Sequence, residues 1–220
     1  MAPRKRSRGA ALSSSTAPPA ELHALENAGH TAQWGKLAEL WREGKHCDVE
    51  IVVAGEVFKV HKAVLAASSA CLEAQFDSRM RDSHGRVEMH ELEPRAFRSI
   101  LGYIYDGRCE FTEDTLAELM HAANRLEVMA LVEAAAEFLK SRLSPDNCLA
   151  TLAVAESIAR PAVRGLVSAC ECFVAAHFEQ LADSAGFPEL GVERLAATLA
   201  DEALVCTSWR PLCGCVARQG

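Results

Sequence analysis

Two short apolar runs, joined by a glycine turn at residues 49–60, restrict the fold of this chain more than any other feature. In the first run Val49, Ile51 and Val53 take alternate positions, which is the spacing of a β-strand with one buried face. The second run resumes two residues after Gly55. Apolar runs joined by so short a turn pair side by side in opposite directions. We therefore predict an antiparallel β-hairpin here.

An alanine-rich helix is predicted directly after the hairpin. Val64, Leu65, Leu72 and Phe76 keep roughly helical spacing, and small alanine and serine residues fill the positions where bulk would hinder close packing. The region therefore opens with strand, strand and helix.

The motifs of this region, in their order, resemble the start of a BTB (POZ) domain. The residues that carry the resemblance are Cys47-Asp48-Val49, Phe58, His61-Lys62, Val64-Leu65-Ala66-Ala67 and Ser69. Further matches follow in the same order: Phe76, Met80-Arg81-Asp82-Ser83, residues 86–92, Ala96-Phe97, Tyr103-Ile104-Tyr105 with Gly107, Ala122-Ala123-Asn124, Leu126 and Glu137-Phe138-Leu139. The resemblance covers about residues 34–143 and implies an α+β BTB/POZ fold, a small mixed sheet flanked by a cluster of helices.

Composition agrees with a globular protein that is not built to bind nucleic acid. Of the 220 residues 50% are hydrophobic and 24% are charged, and the formal net charge is -7. The chain has nine cysteines, an odd number spread through predicted elements, and it has no apolar signal segment or membrane span. We expect a reducing, cytoplasmic compartment, with a nuclear location as the alternative if the basic run Arg4-Lys5-Arg6 directs import.

The chain divides into four parts by composition and pattern. Residues 1–27 are rich in Arg, Ser, Pro and Ala and are predicted to be a disordered leader. Residues 28–143 are the expected BTB/POZ domain, and residues 144–206 are helical in pattern. Residues 207–220 form a short tail unlike the rest, which reads as an unrelated ending on a shortened chain.

An amphipathic helix opens the domain, with Trp34, Leu37, Leu40 and Trp41 on one face. Two tryptophans on one stripe must be buried. One interpretation is packing within the same domain; the other, implied by the resemblance, is packing against a second subunit, as the first helix of BTB dimers does. We expect these four residues to lie in a dimer interface.

Capping residues mark the elements that follow. We predict a third strand at 86–92, a helix that starts at Pro94 and ends near Gly107, and a helix capped by Thr112 or Asp114. A further helix is predicted at about 128–143.

The helical pattern after Ser144-Pro145-Asp146-Asn147 resembles the BACK region that follows BTB domains in Kelch-like proteins. The resemblance is partial, since the family's region continues through further helices. Kelch-like proteins recognise substrates through a propeller of repeats about 50 residues long. The remaining length leaves no room for one, so we expect a chain without a propeller.

The resemblance also implies a site for a cullin scaffold. Family members that act in ubiquitin ligases carry a hydrophobic-x-Glu motif after the position of Phe76, where this chain has Met80, Arg81 and Asp82. Aspartate keeps the charge but is one methylene shorter, so a carboxylate contact with the cullin would weaken. The alternative is that Asp82 only caps a turn.

Asp48 and Lys62 are expected to form a structural ion pair. Both stand in largely apolar surroundings, where a lone charge is costly. The resemblance places such a pair near the dimer groove, where some transcription-repressor relatives bind peptides.

No pattern in the sequence asks for a metal, a cofactor or catalysis. Cys170-x-Cys172 and Cys213-x-Cys215 are too closely spaced for four-ligand zinc sites, and His84 and His90 are isolated. The sequence also contains no motif typical of a phosphate-binding loop, a nucleophile elbow or a metalloprotease helix.

We therefore expect a non-catalytic adaptor that dimerises with itself or with related BTB proteins and offers a surface to a cullin. Without a propeller it would occupy dimers and cullin while delivering no substrate. The competing hypothesis is a structural or transcriptional interaction protein that uses the same dimer without ubiquitin chemistry. A catalytic protein is the third and weakest.

Overall fold

The computed structural model describes residues 22–26, 32–79 and 85–182. Its strands are β1 (His23–Glu26), β2 (Val49–Val53), β3 (Glu56–Val60), β4 (Arg86–Met89) and β5 (Arg108–Phe111). Its helices are α1 (Ala32–Arg42), α2 (Lys62–Ser68), α3 (Ala70–Arg79), α4 (Pro94–Asp106), α5 (Glu113–Arg125), α6 (Met129–Ser141), α7 (Cys148–Ile158), α8 (Arg164–Ala176) and α9 (Phe178–Ala182), with a 3₁₀ turn at Pro161–Val163. The α+β fold predicted from the sequence is confirmed.

The predicted hairpin is present as an antiparallel pair of β2 and β3, with Val49 opposite Val60. Its turn places Ala54 at a φ of 46° and Gly55 at 85°. Positive φ at both turn positions matches the twist of the two strands, and glycine takes that conformation without a steric penalty. Strand β4 joins the other edge of β2 in parallel, which gives the order β3-β2-β4 and buries β2 in the centre.

The single helix expected after the hairpin is two helices, α2 and α3, separated at Ser69. The backbone of Ser69 is extended, with φ at -152° and ψ at 113°. Its buried hydroxyl accepts a hydrogen bond from the Leu72 backbone N–H at 3.0 Å and donates to the Leu126 carbonyl. Ser69 thus caps the start of α3 and ties it to the end of α5, which favours the break over a continuous helix.

A second sheet joins β1 to β5, and it corrects part of the predicted leader. His23 lies opposite Phe111 in antiparallel register, and Leu25 lies opposite Cys109. The His23 ring packs against Phe111 and Phe138, with ring centroids 5.9 and 5.2 Å apart. Residues 23–26 are therefore a strand held by ring packing, whereas residues 1–21 and 27 lie outside the described residues.

Helix α4 runs through the centre of the core. Pro94 stands in its first turn, and Gly107 ends it in a left-handed conformation with φ at 72°, as predicted. Thr112 caps α5 through a reciprocal pair of hydrogen bonds with Thr115. Seven α4 side chains are buried: Ala96, Phe97, Ile100, Leu101, Tyr103, Ile104 and Tyr105.

Helices α7 to α9 pack onto the same core as the helices before them. Asn147 stabilises the connection, because its side-chain oxygen accepts from the Ser144 backbone N–H and its amide donates to the Arg142 carbonyl. One continuous cluster of buried residues includes Leu131 of α6 as well as Leu152 of α7 and Leu166 of α8. The last part of the predicted helical region, residues 183–206, and the tail at 207–220 lie outside the described residues.

Candidate interaction surface around the first helix

Helix α1 lies on α4 and buries one narrow face against it. Ala38 is only 1% exposed, so the two helices approach closely at a small side chain. Trp34, Leu37 and Trp41 are half-buried and pack against the core. The first helix is therefore attached to its own chain through one side.

Trp41 joins α1 to α4 through an aromatic contact. Its indole stacks on the ring of Tyr105, with centroids 4.5 Å apart and an interplanar angle of 8°. The next residue, Arg42, pairs with Asp106 at the end of α4. Aromatic stacking and an ion pair thus fix the last turn of α1.

Tyr105 extends this contact into a buried hydrogen-bond network with His61. The tyrosine oxygen accepts the His61 backbone N–H at 2.8 Å and lies 3.1 Å from Nδ1 of the same residue. Nε2 of His61 lies 3.0 Å from the Lys45 carbonyl, which can only accept. Nε2 therefore carries the proton, and Nδ1 accepts from the tyrosine hydroxyl.

Burial raises the pKa of Tyr105 far above its usual range, and the His61 backbone N–H opposes this only in part. The phenol thus remains protonated and continues to donate to His61. The sequence contains both residues within the family motifs, but no local pattern indicates that they meet, because 44 positions separate them.

Cys47 lies at the edge of this network and is not arranged as a nucleophile. Its sulfur is 3.8 Å from the Lys45 carbonyl oxygen and 3.9 Å from His61 Nε2. Burial raises the pKa of the Cys47 thiol, and the nearby carboxylate of Asp48 raises it further. A thiol held in its protonated form is a poor nucleophile.

The predicted ion pair between Asp48 and Lys62 is wrong in its chemistry. Asp48 Oδ1 accepts a hydrogen bond from the Lys62 backbone N–H at 2.7 Å, and no ion pair within 4.0 Å joins the two described side chains. The Lys62 ammonium instead lies 5.9 Å from the centre of the Phe76 ring. The first N–H groups of a helix have no acceptor within it, so the carboxylate caps α2.

The four residues predicted for a dimer interface all lie on α1 and are all half-buried in the single chain. At about 100° per residue, Leu40 is turned about 200° away from Ala38, and Leu37 about 100°. Leu40 therefore lies nearly opposite Ala38, and Leu37 lies between the two on one side of the helix. The contact of these residues with a second subunit stays a prediction.

A groove of about 880 Å³ runs beside α1, between α4 and β5. Charged residues of both signs line it: Arg42, Arg95, Arg98, Arg108, Glu39, Asp106 and Glu110. The α1 residues that line the groove are Gly35, Ala38, Glu39 and Arg42, so it lies on the other side of the helix from Leu37 and Leu40.

The predicted cullin contact, Met80, Arg81 and Asp82, lies outside the described residues. The described chain leaves off at the end of α3 and resumes at Gly85, whose carbonyl accepts the Glu50 backbone N–H at 2.7 Å. Gly85 has a φ of 76°, and a Cβ there would lie 3.3 Å from the Asp48 carbonyl oxygen. Gly85 therefore meets the central sheet in a backbone conformation suited to glycine.

Neither a metal-binding cluster nor a membrane-spanning helix occurs in the described ranges. Among residues 22–26, 32–79 and 85–182, no group of three or more His, Cys, Asp or Glu side chains is arranged to hold a metal ion. In the same ranges, none of the helices combines the length and the apolar character needed to cross a bilayer.

Comparison with known proteins identifies the domain. Residues 37–143 match the family model described as the BTB/POZ domain. Among solved structures, the BTB domain of zebrafish PATZ1 aligns at a TM-score of 0.45 with 33% identity, over 50% of this chain and 89% of that chain.

Kelch-like proteins are similar over a longer stretch. Human Kelch-like protein 2 is 30% identical over 173 residues, which is 78% of this chain and 29% of that protein. Kelch-like protein 21 of Bos taurus is 34% identical over 170 residues, 76% of this chain and 28% of its own length. This chain thus spans less than a third of the curated relatives it matches. Residues 37–143 are thus a BTB/POZ domain, and the similarity to Kelch-like proteins extends beyond that domain.

Proposed function

We propose that this BTB/POZ protein-interaction adaptor works as a dimer and presents one face to a cullin scaffold of a ubiquitin ligase. The family and the Kelch-like relatives support the adaptor role, which is generally non-enzymatic. In this proposal α7 to α9 are the beginning of a BACK region, since the similarity to Kelch-like proteins extends past residue 143.

The observation that carries the dimer is the half-buried outer flank of α1. Leu37 and Leu40 are apolar, are only half-buried in the single chain and lie on a helix that is already fixed by Trp41. Covering such a flank removes apolar surface from water without any cost of ordering the helix. A second copy of the same flank is a self-complementary partner, as two-fold dimers require.

Light scattering coupled to size-exclusion chromatography tests the dimer. We expect the wild-type chain at micromolar concentration to show twice its mass of 23.8 kDa. Leu40→Glu should weaken association by about tenfold or more, because it adds an unpaired charge to a buried contact. Glu39→Gln, which changes one charge on an exposed position of the same helix, is the matched control and should stay dimeric.

A monomeric wild-type chain would overturn the dimer. Circular dichroism and a thermal melt of Leu40→Glu separate lost association from lost folding. A variant that melts like the wild type but runs as a monomer supports the proposed interface, whereas a well-folded variant that stays dimeric contradicts it.

The cullin contact is tested separately with the N-terminal domain of the third cullin paralogue, immobilised for binding measurements. Asp82→Glu restores the longer carboxylate of the family motif, and Asp82→Ala removes it. We expect binding in the order Asp82→Glu, wild type, Asp82→Ala, because a shorter carboxylate makes a weaker contact.

If only the Asp82→Glu chain binds, the ligase role fails for the natural sequence and Asp82 is the reason. If none of the three binds while all are dimeric, the cullin proposal is wrong and the competing structural or transcriptional role gains support.

A further inference from the structure

Two cysteines meet in the interior where α7 packs on α8. Cys148 is the first residue of α7 and Cys170 lies in the middle of α8, and both are 0% exposed. The Cys148 sulfur donates to the Cys170 backbone carbonyl at a distance of 3.6 Å. The two side chains are thus neighbours within one apolar cluster.

The surroundings make the two thiols unequal. A hydrogen bond with the Cys170 thiol lowers the pKa of Cys148 against the effect of burial, and the same contact raises the pKa of Cys170. For Cys47, Cys71 and Cys109, in contrast, burial raises the pKa of the thiol.

We propose that Cys148 and Cys170 are a modification site, a dithiol that a peroxide converts into a disulfide linking α7 to α8. The Cys148 thiol gives up its proton and its sulfur attacks one oxygen of hydrogen peroxide; the O–O bond breaks, a sulfenic acid forms, and the leaving hydroxide takes up the proton as one water. The sulfur of Cys170 then attacks the sulfenic sulfur, and the hydroxyl leaves as a second water. Two hydrogens and two electrons pass from the thiols to the peroxide, which is reduced to water.

The neighbouring Cys172 is the natural comparison. It is exposed, but it lies two residues beyond Cys170 and hence about 200° around the helix. It therefore faces away from Cys148. Reactivity governed by exposure alone would favour Cys172, whereas the proposal selects the two buried residues.

The disulfide would act on the packing of the helices against the BTB/POZ domain. Helix α8 packs against α6, and Leu166 of α8 and Leu131 of α6 belong to the same core cluster. Linking α7 to α8 resists separation of the pair, so oxidation should raise the melting temperature of the whole chain.

Peptide mapping of the purified full chain tests this directly. The chain is treated with hydrogen peroxide, its remaining thiols are blocked, and it is digested with trypsin. Cys148 then lies in peptide 143–164, since trypsin does not cleave after Arg160, which precedes a proline. Cys170 and Cys172 lie together in peptide 165–194. We expect these two peptides to be joined, with a mass about 2 Da below their sum, and to separate on reduction.

Cys172→Ser is the control variant, since it leaves Cys170 as the only thiol of its peptide. The cross-link should persist in Cys172→Ser and disappear in Cys148→Ser and in Cys170→Ser. Melting curves in reductant establish that each variant is folded, and the rise in melting temperature on oxidation should occur only in the wild type and in Cys172→Ser.

Peptide mapping of the wild-type chain shows whether the disulfide forms even if Cys148→Ser or Cys170→Ser unfolds the chain. Joined peptides that separate in the Cys172→Ser chain would assign the bond to Cys172 and overturn the proposal. Two other results would also overturn the proposal. In one, the two peptides stay unjoined although Cys172 or Cys47 is oxidised. In the other, Cys148 is converted to sulfinic acid and no cross-link forms.

Discussion

Trp41 and Tyr105, 64 residues apart in the chain, stack nearly parallel with their ring centres 4.5 Å apart. One ring belongs to the last turn of α1 and the other to the last turn of α4. Through this contact α1, which carries the half-buried apolar side chains, packs directly on the tyrosine whose hydroxyl is hydrogen-bonded to His61. The position of the candidate interface and the stability of the core are therefore linked through these two residues.

Replacing Trp41 by alanine should loosen α1 from its own domain. The change removes a stacked ring that is half-buried, so we expect a loss of about 2 to 3 kcal/mol in the free energy of unfolding, somewhat below the cost for a fully buried aromatic residue. Urea titration followed by circular dichroism measures it. Trp41→Phe keeps a ring over Tyr105 and should recover most of the loss; equal losses in both variants would contradict a role for stacking.

Replacing Tyr105 by phenylalanine removes the hydroxyl that serves His61. The His61 backbone N–H and Nδ1 would then lack their partner in the interior, which costs about 1 to 3 kcal/mol in the free energy of unfolding. Thermal melts at pH 7 measure the loss. Tyr103→Phe is the matched control, since the Tyr103 hydroxyl makes one longer bond, 3.2 Å to the Ala130 carbonyl, and its loss should cost less. A control that is equally costly would speak against the His61 network.

The cap at Asp48 predicts unequal effects for two charged residues. Asp48→Ala removes the acceptor for the Lys62 N–H and should cost about 1 kcal/mol in the free energy of unfolding, the usual value for a helix cap. Lys62→Met removes the charge but keeps the apolar stem over Phe76, and should change the stability by less than about 0.5 kcal/mol. Urea titration measures both losses of stability. Equal losses in the two variants would favour an ion pair between Asp48 and Lys62 over the cap.

Burial of Cys109 predicts a loss of stability in alkaline solution. Burial raises the pKa of this thiol from 9.0 to about 11. Because the folded pKa lies above the unfolded one, the stabilisation is complete below about pH 9 and disappears as the pH rises through about 11, a change of up to about 3 kcal/mol.

Urea titrations between about pH 8 and pH 11 measure that loss, with Cys109→Ala as the control. The alanine variant should be less stable at neutral pH but should lose less on going to high pH. A variant whose stability falls as steeply as that of the wild type would assign the alkaline loss to other groups, such as Tyr105.

The hairpin and the helix boundaries were predictable because their signals are local. Each of these signals acts within a few residues, and each element is found at its signal. The signals are the alternation at Val49, Ile51 and Val53, the proline at the start of α4 and the threonine before α5. Ser69 is a local signal of the same kind, a capping residue before a helical run. It was hidden by the alanine-rich sequence on both sides, which reads as one helix.

The sheet of β1 and β5 was not predictable from period or composition. Each strand has four residues, too few for an alternation to stand out, and their pairing joins His23 to Phe111 across most of the domain. The ion pair of Asp48 and Lys62 failed for a related reason. A pattern of charges brings the two residues together, but it does not distinguish the ammonium group from the backbone N–H of the same lysine.

The pairing of β1 with β5 has a practical consequence for anyone who trims this protein. A recombinant polypeptide that starts at residue 28 would strip β5 of its neighbour, uncover Phe111 and Phe138, and leave a row of unbonded amide groups ready to recruit strands from other molecules. The first safe place to cut lies before His23.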